Sequence, residues 1–247
     1  MTSQKMILFD YGGTLMYEPD FNPRCGNEAL FRLIKDNPNN VTLDEFTDYL
    51  TRLFDEIRAL RGEYIEIHEH HFLKYLIDYF GITLTVPVEY AEMEMFNAIT
   101  HPVITPGADS MLAYLRSHNI RTGVISNLCW SGEALSTRLC KSFPEHQFDF
   151  IMTSSDYIFR KPDKHIFELA VRKSGLSAED IWYCGNDLAV DVVGAHHAGL
   201  FPVFYDDRTV PGVIHEKNDK YTIDVPHLHI SNWGELTAEL DRLIKGR

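Results

Sequence analysis

The sequence lacks a paired-cysteine pattern, a membrane-length apolar run and a surplus of positive charge, and each absence removes a class of protein. Its four cysteines, Cys25, Cys129, Cys140 and Cys184, show no C-x-x-C spacing. A chain of 247 residues needs no disulfide scaffold, so the thiols read as reduced and the expected location is the cytoplasm. No stretch approaches the roughly 18 consecutive apolar residues of a spanning helix, so no membrane partner is expected. The apolar run Met6-Ile7-Leu8-Phe9 is too short for a signal peptide and ends in Asp10, which makes it a buried strand. Lys and Arg number 23 against 36 Asp and Glu, for a formal charge of −13. Such a field repels a polyanion, which argues against a nucleic-acid partner but leaves room for a small anion in a local positive pocket. Internal repeats and low-complexity tracts are also missing.

What is present is ordinary globular material, 45% hydrophobic and 24% charged. The length suits one large domain or a core with a smaller lid. After the first strand, Gly12 and Gly13 mark a turn. From about Cys25 to Thr100 the apolar spacing is helical, with no strand-like alternation. Four helices are expected there, over 28–36, 43–60, 68–80 and 88–99. Thr42 ahead of Glu45 forms a capping box for the second. Past Pro102, helix and strand alternate: helices at 107–117, 133–141, 162–174, 190–198 and 233–245, and strands at 121–125, 148–153, 181–184, 201–205 and near His229. This pattern predicts an α/β fold, a doubly wound parallel-sheet (Rossmann-like) core made of residues 1–16 and 103–247. An α-helical bundle cap, residues 17–102, is inserted into it.

In an open parallel sheet, function gathers at the carboxyl ends of the strands. Four such ends carry polar or reactive groups here: Asp10, Ser126-Asn127, Arg160-Lys161-Pro162-Asp163, and Gly185-Asn186-Asp187 with Asp191. Each alone reads as turn or capping chemistry. In order, after successive strands, they point to one crevice.

These segments give the chain a resemblance to the haloacid dehalogenase superfamily over nearly its whole length. The matching runs are Ile7-Leu8-Phe9-Asp10-Tyr11-Gly12-Gly13-Thr14-Leu15, Gly123-Val124-Ile125-Ser126-Asn127, Ser154-Ser155-Asp156 through Asp163, and Gly185-Asn186-Asp187 through Asp191 to Gly194-Ala195. The helical insertion matches the cap that many members carry. The resemblance implies a hydrolase in which Asp10 is the nucleophile and forms a covalent aspartyl intermediate. Ser126, with Asn127 adjacent, would hydrogen-bond the transferring group, and Lys161 would neutralise its charge. Gly13 and Thr14 join these three as expected substrate-binding residues. It further implies Mg²⁺ as cofactor, held by Asp10, the backbone carbonyl of Gly12, Asn186, Asp187 and Asp191. The expected partner is a small anionic substrate, a phosphorylated metabolite. Nothing in the sequence sets the oligomeric state.

Two positions depart from the family pattern. Phosphatases of the superfamily usually carry a second aspartate two residues after the nucleophile to move a proton, and here that residue is Gly12. General acid–base groups contribute about 10²–10⁴-fold, so alkyl phosphates should suffer most. Asn186 stands where the acidic loop usually has aspartate, although Asp187 and Asp191 remain. Three readings follow: a Mg²⁺-dependent phosphatase-type hydrolase with altered proton transfer, a metal-independent 2-haloacid dehalogenase-type hydrolase, or a non-catalytic ligand- or protein-binding relative. Halide leaves without a general acid, which suits Gly12, but dehalogenases typically lack the acidic loop. The cluster His68, His70 and His71 reads as a polar helix start, with no carboxylate pattern to complete a zinc set; one of these histidines is a candidate for the missing proton donor. Tyr17 and Phe21 read as packing residues.

Overall fold

The computed structural model describes residues 5–210 and 215–245, so residues 1–4, 211–214 and 246–247 of the expected core lie outside it. Met6–Phe9 forms strand β1, the short β2 is Met16–Tyr17, and the helices α1 (Pro23–Arg32), α2 (Leu43–Arg61), α3 (Glu69–Phe80) and α4 (Val88–Ile99) follow, with β3 (Ile34–Asp36) and β4 (Thr83–Leu84) among them. Next come β5 (Val103–Ile104), α5 (Ala108–Ser117), β6 (Arg121–Ser126), α6 (Gly132–Ser142), β7 (Ile151–Thr153), α7 (Ser154–Tyr157) and α8 (Lys164–Ser174). The chain ends with β8 (Ile181–Gly185), α9 (Val193–His197), β9 (Phe201–Tyr205), α10 (His215–Asn218), β10 (Leu228–Ile230) and α11 (Trp233–Lys245).

Six strands pair in the order β10-β9-β8-β1-β6-β7, every neighbour parallel. β1 is central and buried on both faces, which explains why it reads as a continuous apolar run instead of an alternation. Ile7 and Phe9 pack with α5, α6 and α11 through Met111, Leu135, Leu139 and Leu236. Met6 and Leu8 face α8 and α9 through Ile166, Phe167, Ala170 and Ala195. Side chains alternate across the pleat, so one strand serves both layers. Because all six strands run the same way, Asp10, Ser126 and Gly185 leave the sheet at the same edge.

The helices α1 to α4 bury a separate apolar cluster centred on Phe46, Leu50, Leu73, Leu76, Met95 and Phe96. The capping box of α2 is complete: the Glu45 amide donates to Thr42 Oγ1 and the Thr42 amide donates to Glu45 Oε2. α3 starts one residue later than expected because His68 is its N-cap, accepting from the His70 amide through Nδ1.

Three expectations need correction. The first helix of this layer ends at Arg32, and Ile34–Asp36 pairs antiparallel with Thr83–Leu84, so the segment read as purely helical contains a small sheet. The helix expected from Val190 opens instead as a π-helical turn, Leu188–Val192, before α9. The strand expected from Phe148 is confined to Ile151–Thr153. A second two-stranded pair, β2 with β5, joins the two crossings between sheet and helical layer. No described helix is long and apolar enough to cross a membrane.

Candidate active site

The strand ends converge on a cavity of about 520 Å³ lined by Asp10, Gly12, Gly13, Ser126, Asn127, Lys161, Asn186, Asp187 and Asp191. At its floor the buried ammonium of Lys161 donates to Asp10 Oδ1 at 2.7 Å, to Asp191 Oδ1 at 2.7 Å and to the Tyr183 hydroxyl at 2.6 Å. Lys161 is 2% exposed and Asp10 7%. Two carboxylates against one ammonium leave an excess negative charge out of water. Burial therefore raises the Asp10 carboxyl to about 6, with Lys161 opposing and Asp191 adding to the shift. Burial also works against the charge on Lys161, yet Asp10 and Asp191 together hold the ammonium above its usual range. An ammonium locked between two acids carries a fixed positive charge to the cavity wall.

Neighbouring residues hold that lysine in place. The Asn127 side chain accepts from the Lys161 amide at 2.8 Å and donates to the Lys161 carbonyl at 2.9 Å. Asn127 thus lines the cavity but spends its amide group on positioning the lysine loop. The Tyr183 hydroxyl donates to the Ile125 carbonyl at 3.0 Å, with Asp191 Oδ1 a second acceptor at 3.3 Å, fastening the lysine's third partner to the strand that presents Ser126.

In the acidic loop, Asp187 Oδ1 accepts from the amides of Ala189 and Val190, and its Oδ2 receives Lys217 at 2.5 Å. Asp191 Oδ2 accepts from the Asp187 amide at 3.0 Å. Asn218 clamps the same loop by donating to the Asn186 carbonyl and accepting from the Leu188 amide. Gly13 has φ +75, and a Cβ there would lie 2.3 Å from Asn186 Nδ2, so only glycine lets the first turn meet this loop. Asp10, Gly12, Asn186, Asp187 and Asp191 line one cavity, and their oxygens are the hard donors there that could hold a divalent cation of the Mg²⁺ kind. Lys161 engages Oδ1 of Asp10 and not Oδ2.

Thr14 departs from expectation. It is fully buried, its hydroxyl points to Asn186 Oδ1 at 3.4 Å, its carbonyl accepts from Thr105, and it does not line the cavity. It braces the turn against the acidic loop instead of touching substrate. None of His68, His70 and His71 reaches the cavity either. His70 pairs with Glu92 at 2.8 Å and His68 faces Asp156 at 3.4 Å, while Glu92 also accepts from Ser131. Donor atoms of His68, His70 and Glu92 lie within 4.8 Å of one another, so distant residues supply the carboxylate that the local spacing lacked. Each is already hydrogen-bonded, as befits a polar brace between α3, α4 and α6. Tyr11 turns into the core and donates to Glu18.

Sequence reasoning missed Tyr183, Lys217 and Glu18 and read Tyr17 and Phe21 as packing, and all of these but Tyr183 line the cavity. No local pattern marks Lys217 or Tyr183. Position immediately after the first motif was the signal available for Tyr17, Glu18 and Phe21.

A family model, haloacid dehalogenase-like hydrolase, matches residues 4–199. The chain belongs to that family. It is therefore a hydrolase on a Rossmann-like α/β core. Among relatives, a glyceraldehyde 3-phosphate phosphatase of Methanothermobacter thermautotrophicus is 28% identical over 209 residues, 83% of this chain and 86% of that protein. An (S)-2-haloacid dehalogenase of Pseudomonas fluorescens is 27% identical over 182 residues, 72% of this chain and 76% of the relative. The crystal structure of a HAD phosphatase from Thermococcus onnurineus shares the fold at a TM-score of 0.60 and 19% identity, covering 96% of this chain and 97% of that one. Both phosphatases and dehalogenases of this hydrolase family thus stand near the chain.

Proposed function

We propose that this hydrolase is a Mg²⁺-dependent, phosphatase-type enzyme acting on a small phosphorylated metabolite in the cytoplasm, with residues 17–102 serving as a cap over a core of 1–16 and 103–247. The observation that carries the reading is the Lys161 ammonium, buried between Asp10 and Asp191 at the floor of an oxygen-lined cavity. It offers charge neutralisation where a phosphoryl group would meet the nucleophile. Three relatives bear the name glyceraldehyde 3-phosphate phosphatase, which favours phosphoryl over halide chemistry.

Asp10 attacks phosphorus, an Asp10–oxygen to phosphorus bond forms, and the ester oxygen departs with the bonding electron pair. Ser126, at the end of β6, donates to a phosphoryl oxygen while Lys161 balances its charge. The ionised form of Asp10 is the nucleophile. Gly12 supplies a carbonyl but no proton, so the departing oxygen leaves as an anion or takes its proton from water. Water then hydrolyses the aspartyl phosphate and regenerates Asp10. Mg²⁺ held by Asp10, the Gly12 carbonyl and the Asn186-Asp187-Asp191 loop would add Lewis-acid neutralisation of the phosphoryl oxygens. Aryl and acyl phosphates, whose leaving groups are stable as anions, are the favoured esters.

One observation favours a second reading, a metal-independent 2-haloacid dehalogenase. Both carboxylates of the acidic loop are engaged, Asp187 by Lys217 and Asp191 by Lys161, and Gly12 suits a halide that needs no proton. Turnover of 4-nitrophenyl phosphate and of 2-chloropropionate, each with Mg²⁺ and with EDTA, separates the two. EDTA-sensitive phosphate release supports the phosphatase. Halide release indifferent to EDTA replaces it with the dehalogenase, and silence on both leaves a non-catalytic binding protein.

A further inference from the structure

A second cavity of about 310 Å³, partly open to solvent, lies between the helical layer and the Cys129-Trp130 segment, within the size range of small-molecule sites. Leu50, Phe54, Phe72, Met95, Ile99 and Trp130 give it apolar walls. It adjoins the reaction cavity: Phe21 lines both, and of two consecutive residues after β6, Leu128 faces the first and Cys129 the second. Phe21 is 58% exposed, so the partition is a side chain that packing does not lock.

Asn27, Thr51, Asp55 and Arg58 also line this cavity, and the most deeply buried of its polar groups is Glu69. Glu69 is 3% exposed and lines this cavity. Two other buried acids of this region are satisfied by strong donors. Glu66 receives Arg160 and Arg61, and Glu92 receives His70 and Ser131. The Glu69 carboxyl has no arginine, lysine or histidine partner among the described residues, and the group beside it is the Cys129 thiol, a weak donor. Buried polar groups in folded proteins are ordinarily hydrogen-bonded, and leaving one without a strong partner is costly. Burial pushes the carboxyl up to about 8, with Glu92 and Glu66 adding to the shift, so near neutral pH it presents a hydroxyl and a carbonyl, not a charge.

We propose that the cap cavity receives the leaving-group end of the substrate, an aromatic or alkyl moiety bearing a neutral hydroxyl-type group that hydrogen-bonds Glu69. The inference rests on the phosphoryl-transfer reading of the Asp10 cavity. The phosphate sits against Lys161, and the organic part passes Phe21 into the helical layer. Apolar walls bind the body of the group and Glu69 reads its polar tip.

The test uses phenyl, 4-ethylphenyl, 4-butylphenyl and 4-(3-hydroxypropyl)phenyl phosphates. In the wild-type protein kcat/KM rises with chain length, by up to about fourfold per buried methylene. The hydroxypropyl ester exceeds the butyl ester of equal length in wild type and in Glu69→Gln, and the order reverses in Glu69→Leu. Thr51→Phe, which fills the cavity from α2, flattens the series. A second measurement needs no turnover. Titration of Asp10→Asn with 4-propylphenol saturably changes the fluorescence of Trp130, a wall residue, with Trp130→Phe as the blank for Trp182 and Trp233. Phosphate turnover without length dependence, together with no Trp130 response, overturns the proposal. A Trp130 response with no turnover of any ester overturns the phosphoryl-transfer reading and retains the cavity as a ligand site.

Discussion

Asp10 and Glu69 are both carboxyl groups shut away from water, one in each cavity, and they differ in what faces them. Asp10 has the Lys161 ammonium at 2.7 Å, whereas Glu69 has a thiol. Desolvation raises both. The ammonium holds Asp10 at about 6, low enough to be ionised at neutral pH, while Glu69 rises to about 8 and keeps its proton. Burial of the same chemical group thus yields a carboxylate in one place and a protonated acid in the other, the main difference being a neighbouring ammonium against neighbouring carboxyls.

Removing the Asp10 carboxylate should have the largest effect on this contrast. Asp10→Asn should reduce phosphate release by roughly 10⁴-fold or more, measured with an aryl phosphate under saturating Mg²⁺. Retained turnover would sink the assignment. Lys161→Met strips the cation from between Asp10 and Asp191. Its expected cost is about 3–5 kcal/mol in urea unfolding, the penalty for breaking a buried pair from one side. A loss under about 1 kcal/mol would mean that the pair is solvated.

Gly12→Asp sharpens the account of the missing proton donor. Nothing lies within 4 Å of a Cβ built at Gly12, so the first side-chain atom meets no neighbour. Alkyl phosphate hydrolysis should rise by about 10²-fold or more, with a smaller gain for aryl phosphates. Equal gains on both ester types would count against an absent acid as the defect.

The two carboxyls also predict titrations in different pH ranges. In the metal-free protein Asp10 should ionise as pH rises through about 6, followed as a carboxylate infrared band that Asp10→Asn lacks. Glu69 binds its proton more tightly folded, at about 8, than at the ordinary value of 4.5. Its contribution to stability is therefore complete below about 4.5 and is lost as pH rises through about 8. Thermal melts of Glu69→Gln should lack that downward trend; an unchanged slope would assign it elsewhere. The smallest effect belongs to Thr42→Ala, which opens the capping box of α2, a wall of the cap cavity. About 1 kcal/mol of stability should be lost, with faster amide exchange in α2 than in the sheet.

Much of the architecture was legible because local signals and tertiary demands agreed. The run Met6-Ile7-Leu8-Phe9 is apolar at every position because both faces of β1 are covered, and α2 announces its start through Thr42 and Glu45. Ile34–Asp36 misled because its apolar spacing continued a helical pattern. Pairing with Thr83–Leu84, distant in the chain, took it into a strand. In the site, Asp10, Ser126, Asn127, Lys161 and the acidic loop were all legible as strand-end residues, and the cavity gathers them. Thr14 was not, since facing Asn186 instead of the cavity depends on how two turns meet.

The sequence by itself determined the order of strands and helices and which polar residues leave the sheet at its carboxyl edge, because short-range periodicity and turn chemistry decide those. Tertiary structure alone decided which charges meet. Lys161 reaches Asp10 across 151 positions and Lys217 reaches Asp187 across 30, and packing isolates Glu69 from the arginines that serve Glu66. Such encounters depend on distance and desolvation in three dimensions, and the electrostatics of a buried carboxyl follow from them.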